Sequence, residues 1–378
     1  MNEDLDYFES YDDISTYELT NVLSSDAGLY YDEFSKPIYC PDQTLEQICN
    51  VIILVEKLHE FKSLILPYKL VKSAFGNQQR YQLQQEFRDL LAFLKSWQPD
   101  LDTSHYDCEH YRLFKEVCDE VGIEALQFHV KASDYIVNGD GQQVIAAEHI
   151  NQFITKLWTA VRSPVFKKMM SDRRDKSRHN LKSGMQLINR LFLRYARLMV
   201  CRIDLALRPE YLEGQTVEEM QEYLQRFLNN RRSNALFDQM VGYVWRLEFG
   251  HKKGLHFHII MFFDGSEVYK DGYYTQKIGE YWRDSVTKGR GLFYNCNANK
   301  SRYRKLGIGM INHDDDEKIG NLHKVLAYLT KTSQFVIVKT LANYRCFGRS
   351  EMPSLIGTSG AIKRGRPRRT PSSPPNQI

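Results

Sequence analysis

The chain predicts an α+β fold, in which an antiparallel-rich sheet is covered on one face by helices and preceded by an all-α domain. Three features of the sequence point there. From Thr44 to Trp97 apolar residues recur at three- and four-residue spacing, the mark of amphipathic helices. After Leu198 the texture changes to β-forming runs alternating with helical ones, in the order βαββαββα. Few of the links between these runs are long enough for parallel crossovers, which favours antiparallel pairing within one sheet. No internal repeat is visible.

The opening segment is acidic. Residues 1–35 hold ten Asp or Glu and no Lys or Arg. Without a sustained apolar period, 1–43 reads as a largely disordered arm, either a solvated tail or a segment that mimics DNA for a basic surface. Next comes a helical domain over 44–160, a candidate for DNA or partner binding. A capping box at Thr44 and Gln47 leads into Val51, Leu54, Leu58, Phe61 and Ile65, with Pro67 closing the helix. Leu83, Phe87, Leu90, Leu94 and Trp97 repeat the spacing up to Pro99. His105, Cys108, His110 and Cys118 match no zinc spacing and read as packing residues.

The third segment, 161–350, begins basic: between Arg162 and Arg208 there are thirteen Lys or Arg and three acids. Such a stripe either tracks a phosphate backbone or forms a solvated helix face. LMVCRIDLAL then reads as a strand, TVEEMQEYLQRFLNNRR as a helix, and VGYVWRLEF and HFHIIMFF as two strands. TQKIGEYWRDSVTKG reads as a helix, LFYNCN and GIGMINH as strands, and NLHKVLAYLTKTSQ as a final helix. Residues 351–378 form a basic, Pro/Ser-rich disordered tail, whose Arg364-Gly365-Arg366-Pro367 core is similar to the AT-hook of minor-groove binders.

Composition narrows the function. Removing the ten negative charges of the arm from the net +4 leaves about +14 on the rest, which favours an anionic partner such as nucleic acid. Seven scattered cysteines without a C-x-x-C pair read as reduced thiols of a cytoplasmic protein. An N-terminus without an apolar core, and no apolar run of eighteen residues, lead us to expect neither secretion nor membrane insertion.

The stretch WRLEFGHKKGLHFHIIMFF carries the chemistry. Side chains alternate along a strand, so His256 and His258 share one face. The GHKKG link makes a hairpin with the preceding strand plausible, and an even register sets Glu248 across from His256 and Arg246 across from His258. Two imidazoles and a carboxylate leave open positions on a divalent ion and suit Mn²⁺ or Mg²⁺ better than a closed structural zinc. The alternative is a pair of core histidines beside a surface glutamate. Seventy residues on, Tyr328 and Lys331 fall one helical turn apart on one face.

The strand with Arg202-Ile203-Asp204, the His-Phe-His strand and Tyr-Leu-Thr-Lys at 328–331, in that order, resemble the three motifs of the HUH endonucleases. With the Arg-Cys-Phe-Gly-Arg-Ser run at 345–350, the chain is more closely similar to the rolling-circle replication initiators of filamentous phages and related prophages, over about 185–350. That resemblance implies an HUH-type sheet and a metal-dependent nickase that forms a 5′-phosphotyrosine bond to single-stranded DNA. It implies His256 and His258 as metal ligands, Tyr328 as the nucleophile and Lys331 as a contact to the scissile phosphate. Strand register adds Glu248 as the third ligand, and Asp204 becomes a candidate support of the metal site or of the sheet. Thr332 stands where a second tyrosine would lie, so a single-tyrosine mechanism is expected. Arg202, Arg246, Trp282, Arg364 and Arg366 are candidate DNA contacts, with core packing the alternative for Trp282 on its helix. The expected partners are single-stranded DNA, the origin duplex, and a host helicase and polymerase, since the chain has no P-loop motif. A transposase or relaxase, a non-catalytic DNA-binding regulator, and a metal-dependent hydrolase that makes no use of Tyr328 are the competing readings.

Overall fold

A computed structural model describes residues 29–31, 37–39, 43–72, 79–100, 106–229, 234–250, 253–303, 305–331, 337–338 and 344–354. The acidic arm before Leu29 and the tail with Arg364 and Arg366 lie outside the described residues. Strands β1 (Leu29–Tyr31) and β2 (Pro37–Tyr39) form a short antiparallel pair. Helix α1 (Gln43–Glu60) buries Val51, Leu54, Val55 and Leu58, the stripe its spacing predicts.

Its ends differ from expectation. Thr44 lies inside the helix rather than capping it, and the Gln47 amide serves another element: it donates to the Ser96 carbonyl at 3.0 Å and accepts from the Gln98 backbone at 2.9 Å. The helix stops at Glu60, well before Pro67. The guanidinium of Arg162 donates to the Leu58, His59 and Phe61 carbonyls there, satisfying groups that a helix end leaves open.

The all-α expectation for 44–160 is corrected by two hairpins and a further strand. β3 (Tyr68–Lys72) pairs with β4 (Gln79–Leu83), and β6 (Tyr135–Val137) with β7 (Gln143–Ile145), while β5 (Tyr106–Asp107) pairs with a distant strand. Leu83 therefore belongs to a strand, and the helix α2 spans only Arg88–Ser96. Tyr68–Lys72 is short and largely exposed, with Leu70 and Val71 adjacent, so it shows neither a helical nor a clean strand period. Helices α3 (Glu109–Val121) and α4 (Ala146–Ala160) complete the packing, with Phe114, Phe153 and Leu157 fully buried.

Helix α5 (Pro164–Arg194) runs for 31 residues, about 46 Å. Ser163 accepts from the Phe166 backbone and Pro164 sits in the first turn, a strong start signal. α5 touches both halves of the molecule: Arg173 forms a buried ion pair with Glu109 of α3 at 2.5 Å, and farther along Leu187, Ile188 and Leu191 bury against the sheet.

That sheet contains β8 (Arg197–Leu207), β9 (Met240–Gly250), β10 (Gly254–Asp264), β11 (Gly291–Asn295), β12 (Gly309–Asn312) and β14 (Phe347–Arg349); β13 (Ile337–Val338) is the partner of β5. The order is β11-β8-β10-β9-β14, with β12 also on β8, and every pairing is antiparallel. Between strands run α6 (Val217–Asn229), α7 (Asp271–Tyr281) and α8 (Asp316–Lys331). The expected order βαββαββα is present, and the edge strand β14 is an addition.

Both faces of the sheet are covered, where one was expected. Met199, Cys201, Ile203 and Leu205 of β8 and Phe257, Ile259, Met261 and Phe263 of β10 pack beneath α6 and α7. Leu198, Val200, Val244, Ile260 and Phe262 meet α5 and α8 on the other face. The reason is visible in β10, which is apolar on both sides of its pleat and buried from Gly254 to Phe263. On the second face the apolar cover stops short. Arg202, Asp204, Arg246, Glu248, His256 and His258 occupy the remainder.

Candidate metal centre

Strand alternation and register bring these polar residues together. In β10 His256 stands opposite Glu248 of β9, and His258 lies between Arg246 of β9 and Asp204 of β8. A donor atom from each of Glu248, His256 and His258 lies within 4.8 Å of the others, and among the described residues no other such trio occurs. Cys108 and His110 are accordingly in no metal cluster; the His110 ring meets Glu56 at 2.7 Å instead.

The ring orientations are set from behind. Nδ1 of His256 lies 3.1 Å from the Gly254 carbonyl, which can only accept, so this nitrogen carries the proton and Nε2 keeps its lone pair for a metal. Nδ1 of His258 donates to Asp204 Oδ1 at 2.6 Å, which turns Nε2 toward Glu248 Oε2 at 3.3 Å. A histidine backed by a carboxylate through its far nitrogen is the arrangement that orients metal-binding imidazoles. Asp204 therefore supports the trio rather than joining it. The strand start is clamped as well: Gln215 accepts from the Leu255 backbone N–H at 2.7 Å and donates to its carbonyl at 3.0 Å. Gly254, at φ 61°, leaves space that a β-carbon would take from the Gln215 amide.

Electrostatics follow from burial and neighbours. Burial disfavours the charged form of His258, but Asp204 and then Glu248 outweigh it and hold the pKa at about 9. His256 is pushed down to about 3 by burial, reinforced by the charge on His258. Burial raises the Glu248 carboxyl, yet the hydrogen bond and charge of His258 bring it down to about 2, and Asp204 is lowered further by the same ring. Without a cation the site thus holds one proton, on His258, between two carboxylates. His256, His258 and Glu248 are the residues that would hold a divalent ion, and its binding would displace that proton. The donor set fits such an ion and leaves coordination positions for other ligands.

Two candidate DNA contacts prove to be part of this charge balance. Arg246, 7% exposed, lies with Nε 3.4 Å from Glu248 Oε1, and Arg202 with Nε 3.9 Å from Asp204 Oδ1. The two guanidiniums balance the two carboxylates, so a divalent cation together with Lys253 would leave the site positively charged. Trp282 is corrected outright: it is fully buried, donates to the Ala206 carbonyl at 3.0 Å and packs among Tyr223, Phe227 and Phe257. No base can stack on it. Two residues were missed by sequence reasoning. Lys253, half-buried in the hairpin link, acts on both Asp204 and His256. Tyr303 lies behind Asp204 and Arg202, its pKa raised by burial and then by Cys296. Lys253 was legible in GHKKG; Tyr303 had no local signal. A small cleft with largely apolar walls lies beside His256 and Lys253, lined also by Leu212, Leu292 and Tyr294.

Tyr328 is half-buried on α8, whose Leu322, Leu326 and Leu329 face the core. Ser177 of α5 donates to the Thr330 carbonyl at 2.8 Å and fixes the last turn of α8 beside that part of α5. Leu191 of α5 lies against Gly242 of β9 and Ser183 bonds Arg349, which pairs with Val244, so toward Ser177 the helix runs to the Arg246–Glu248 end of β9, the polar end of the sheet. Lys331 ends the helix, and its side chain lies outside the described residues.

A family model described as the YagK/YfjJ C-terminal domain matches residues 159–350, just over half of the chain. The chain belongs to that family. No curated protein and no solved structure matches it. The matched segment includes α5, the entire sheet and the trio. No helix among the described residues is long and apolar enough to cross a membrane.

Proposed function

We propose that this member of the YagK/YfjJ C-terminal domain family is an HUH-type nickase of single-stranded DNA, which opens rolling-circle replication of a phage, prophage or related element. The observation that carries this reading is the trio of Glu248, His256 and His258 with both ring orientations preset. A bound Mn²⁺ or Mg²⁺ would supply charge stabilisation at the phosphoryl oxygens and leave the bond breaking to the protein.

The phenolic oxygen of Tyr328 attacks the scissile phosphorus in line with the leaving 3′-oxygen. A phosphorus–tyrosine bond forms, the phosphorus–3′-oxygen bond breaks, the phenolic proton departs and the released strand ends in a 3′-hydroxyl that can prime synthesis. A free phenol has a pKa near 10 and is a weak nucleophile. A cation beside the site, from the metal or from Lys331 one helical turn along the sequence, would favour both the phenolate and the anionic phosphate. Religation reverses these steps, with a DNA hydroxyl attacking the tyrosyl ester. Unwinding needs a separate helicase, consistent with the lack of a P-loop in the sequence.

The test is a covalent one. End-labelled single-stranded oligonucleotides from the element's own origin, incubated with protein and Mn²⁺, yield an adduct that survives denaturation. Tyr328→Phe abolishes it and leaves oligonucleotide binding intact. His256→Ala with His258→Ala abolishes both adduct and metal binding. Adduct formation that persists in Tyr328→Phe places the nucleophile elsewhere, and metal binding that persists in the double histidine variant removes the ligand assignment.

A further inference from the structure

Lys176, Ser183 and Arg190 follow one another at seven-residue spacing on α5 and so lie along one stripe of that helix. The edge strand β14 runs beside it. Arg349 donates through Nε to Ser183 Oγ at 2.7 Å and through Nη1 to the Ser350 carbonyl at 2.7 Å. Arg345, exposed just before the strand, donates through Nε to the Phe347 carbonyl at 2.9 Å and lies over the Trp245 ring. Arg190 and Arg345 both act on Arg349; burial first, and then their two charges, hold its pKa below the usual value. At the far end of the stripe, Lys176 and Glu248 both act on the Cys346 thiol.

Lys176, Arg190 and Arg349 thus lie where α5 meets the edge strand, and Arg345 stands at the outer edge of that strand. Among the described residues none of Lys176, Arg190, Arg345 and Arg349 forms an ion pair with a carboxylate. Like charges gathered without counter-ions destabilise a fold, and partly buried ones do so most. The arrangement makes physical sense when an anion occupies the groove. From Lys176 to Arg190 the stripe extends about 21 Å along the helix axis, the length of a few nucleotides. Its Lys176 end opens on the polar part of the sheet.

We propose that the groove between α5 and β14 is a phosphate track, which holds the backbone of a single DNA strand leading to the candidate metal centre. The inference rests on the nickase reading for its substrate and goes beyond it in naming where the uncut part of the strand lies. Arginine suits the role, since its planar fork pairs with phosphate oxygens in two places. Ser183 and the Ser350 carbonyl hold Arg349 through Nε and Nη1 and leave Nη2 for the ligand.

The experiment measures binding without cleavage. A fluorescent poly-dT oligonucleotide is titrated with full-length protein in EDTA at several salt concentrations. Combining Arg190→Gln, Arg345→Gln and Arg349→Gln should lower the salt slope of log K by about 2, at about 0.7 for each lost phosphate contact on a single strand. The corresponding triple Lys variant keeps the charges and should restore the slope. A Gln triple that melts like the parent and binds with the parent slope overturns the track. So does a Lys triple that loses as much as the Gln triple, because charge is then not the cause, and so does a slope that falls on duplex DNA alone. Neither metal nor Tyr328 enters this measurement. A protein that never forms an adduct can still pass, and one that forms adducts can still fail.

Discussion

Asp204 reaches the candidate metal only through His258, and this makes it a positioning residue with a specific signature. Asp204→Asn removes the charge that orients the ring, and titration calorimetry with Mn²⁺ should read an affinity loss of about 10–100-fold. The same ring sets a pH dependence. His258, held at about 9, carries a proton at neutral pH, so cation binding expels it. Affinity should therefore rise as pH increases toward about 9, with about one proton released per ion when calorimetry is repeated in buffers of different ionisation enthalpy. Trp282 belongs to a different category of residue. Trp282→Ala should cost about 3–5 kcal/mol in chemical denaturation, as for other large core deletions, while Trp282→Phe, folded and assayed at low temperature, should bind oligonucleotides like the parent. A large loss of DNA affinity in that Phe variant would return Trp282 to the binding surface.

Among the elements, α8 is the one through which the proposed chemistry can be tested from a distance. Gly307 passes so close to it that a β-carbon would come within 2.5 Å of the Asn321 carbonyl carbon and the Leu322 nitrogen. The obstacle is backbone, which cannot rotate away, so Gly307→Ala must displace the helix that carries Tyr328. Metal affinity should be unchanged, and the adduct-forming rate should drop, by up to about 100-fold for a misplacement near 1 Å. Equal loss of both would mean that the substitution disturbs the sheet instead. The helices and strands of the second half were readable in advance because each combines a clear period with Gly or polar breaks. The hairpins in the first half were not. β3 and β4 carry mixed Lys, Gln and apolar residues, and what holds them is tertiary: Asn151 of α4 accepts from the Tyr68 backbone and donates back to it, both at 2.9 Å.

At the scale of the whole molecule, stability should vary with pH through a pair far from the site. His110 is fully buried, and burial opposes its charge, but Cys108 and Glu56 outweigh this and hold its pKa at about 9. A raised histidine stabilises fully below its unfolded value near 6.5 and loses that contribution as pH rises through about 9. The melting temperature should then fall between pH 6.5 and 9.5, by about 2–4 °C for each kcal/mol lost, and His110→Gln should reduce that slope, the remainder belonging to His258, which is raised to the same range. An unchanged slope in that variant assigns the pH dependence to other groups. The sequence by itself determined the fold class, the order βαββαββα and the trio of Glu248, His256 and His258, because alternation and an even hairpin register are local rules that need only neighbouring strands. Only the tertiary structure decided that both faces of the sheet are covered and that Asp204 backs His258. It alone set Trp282 in the core and brought β14, from far along the chain, beside α5. Each of these depends on which distant segments meet, and that is set by burial of apolar surface summed over the entire chain, a quantity no short stretch of sequence contains.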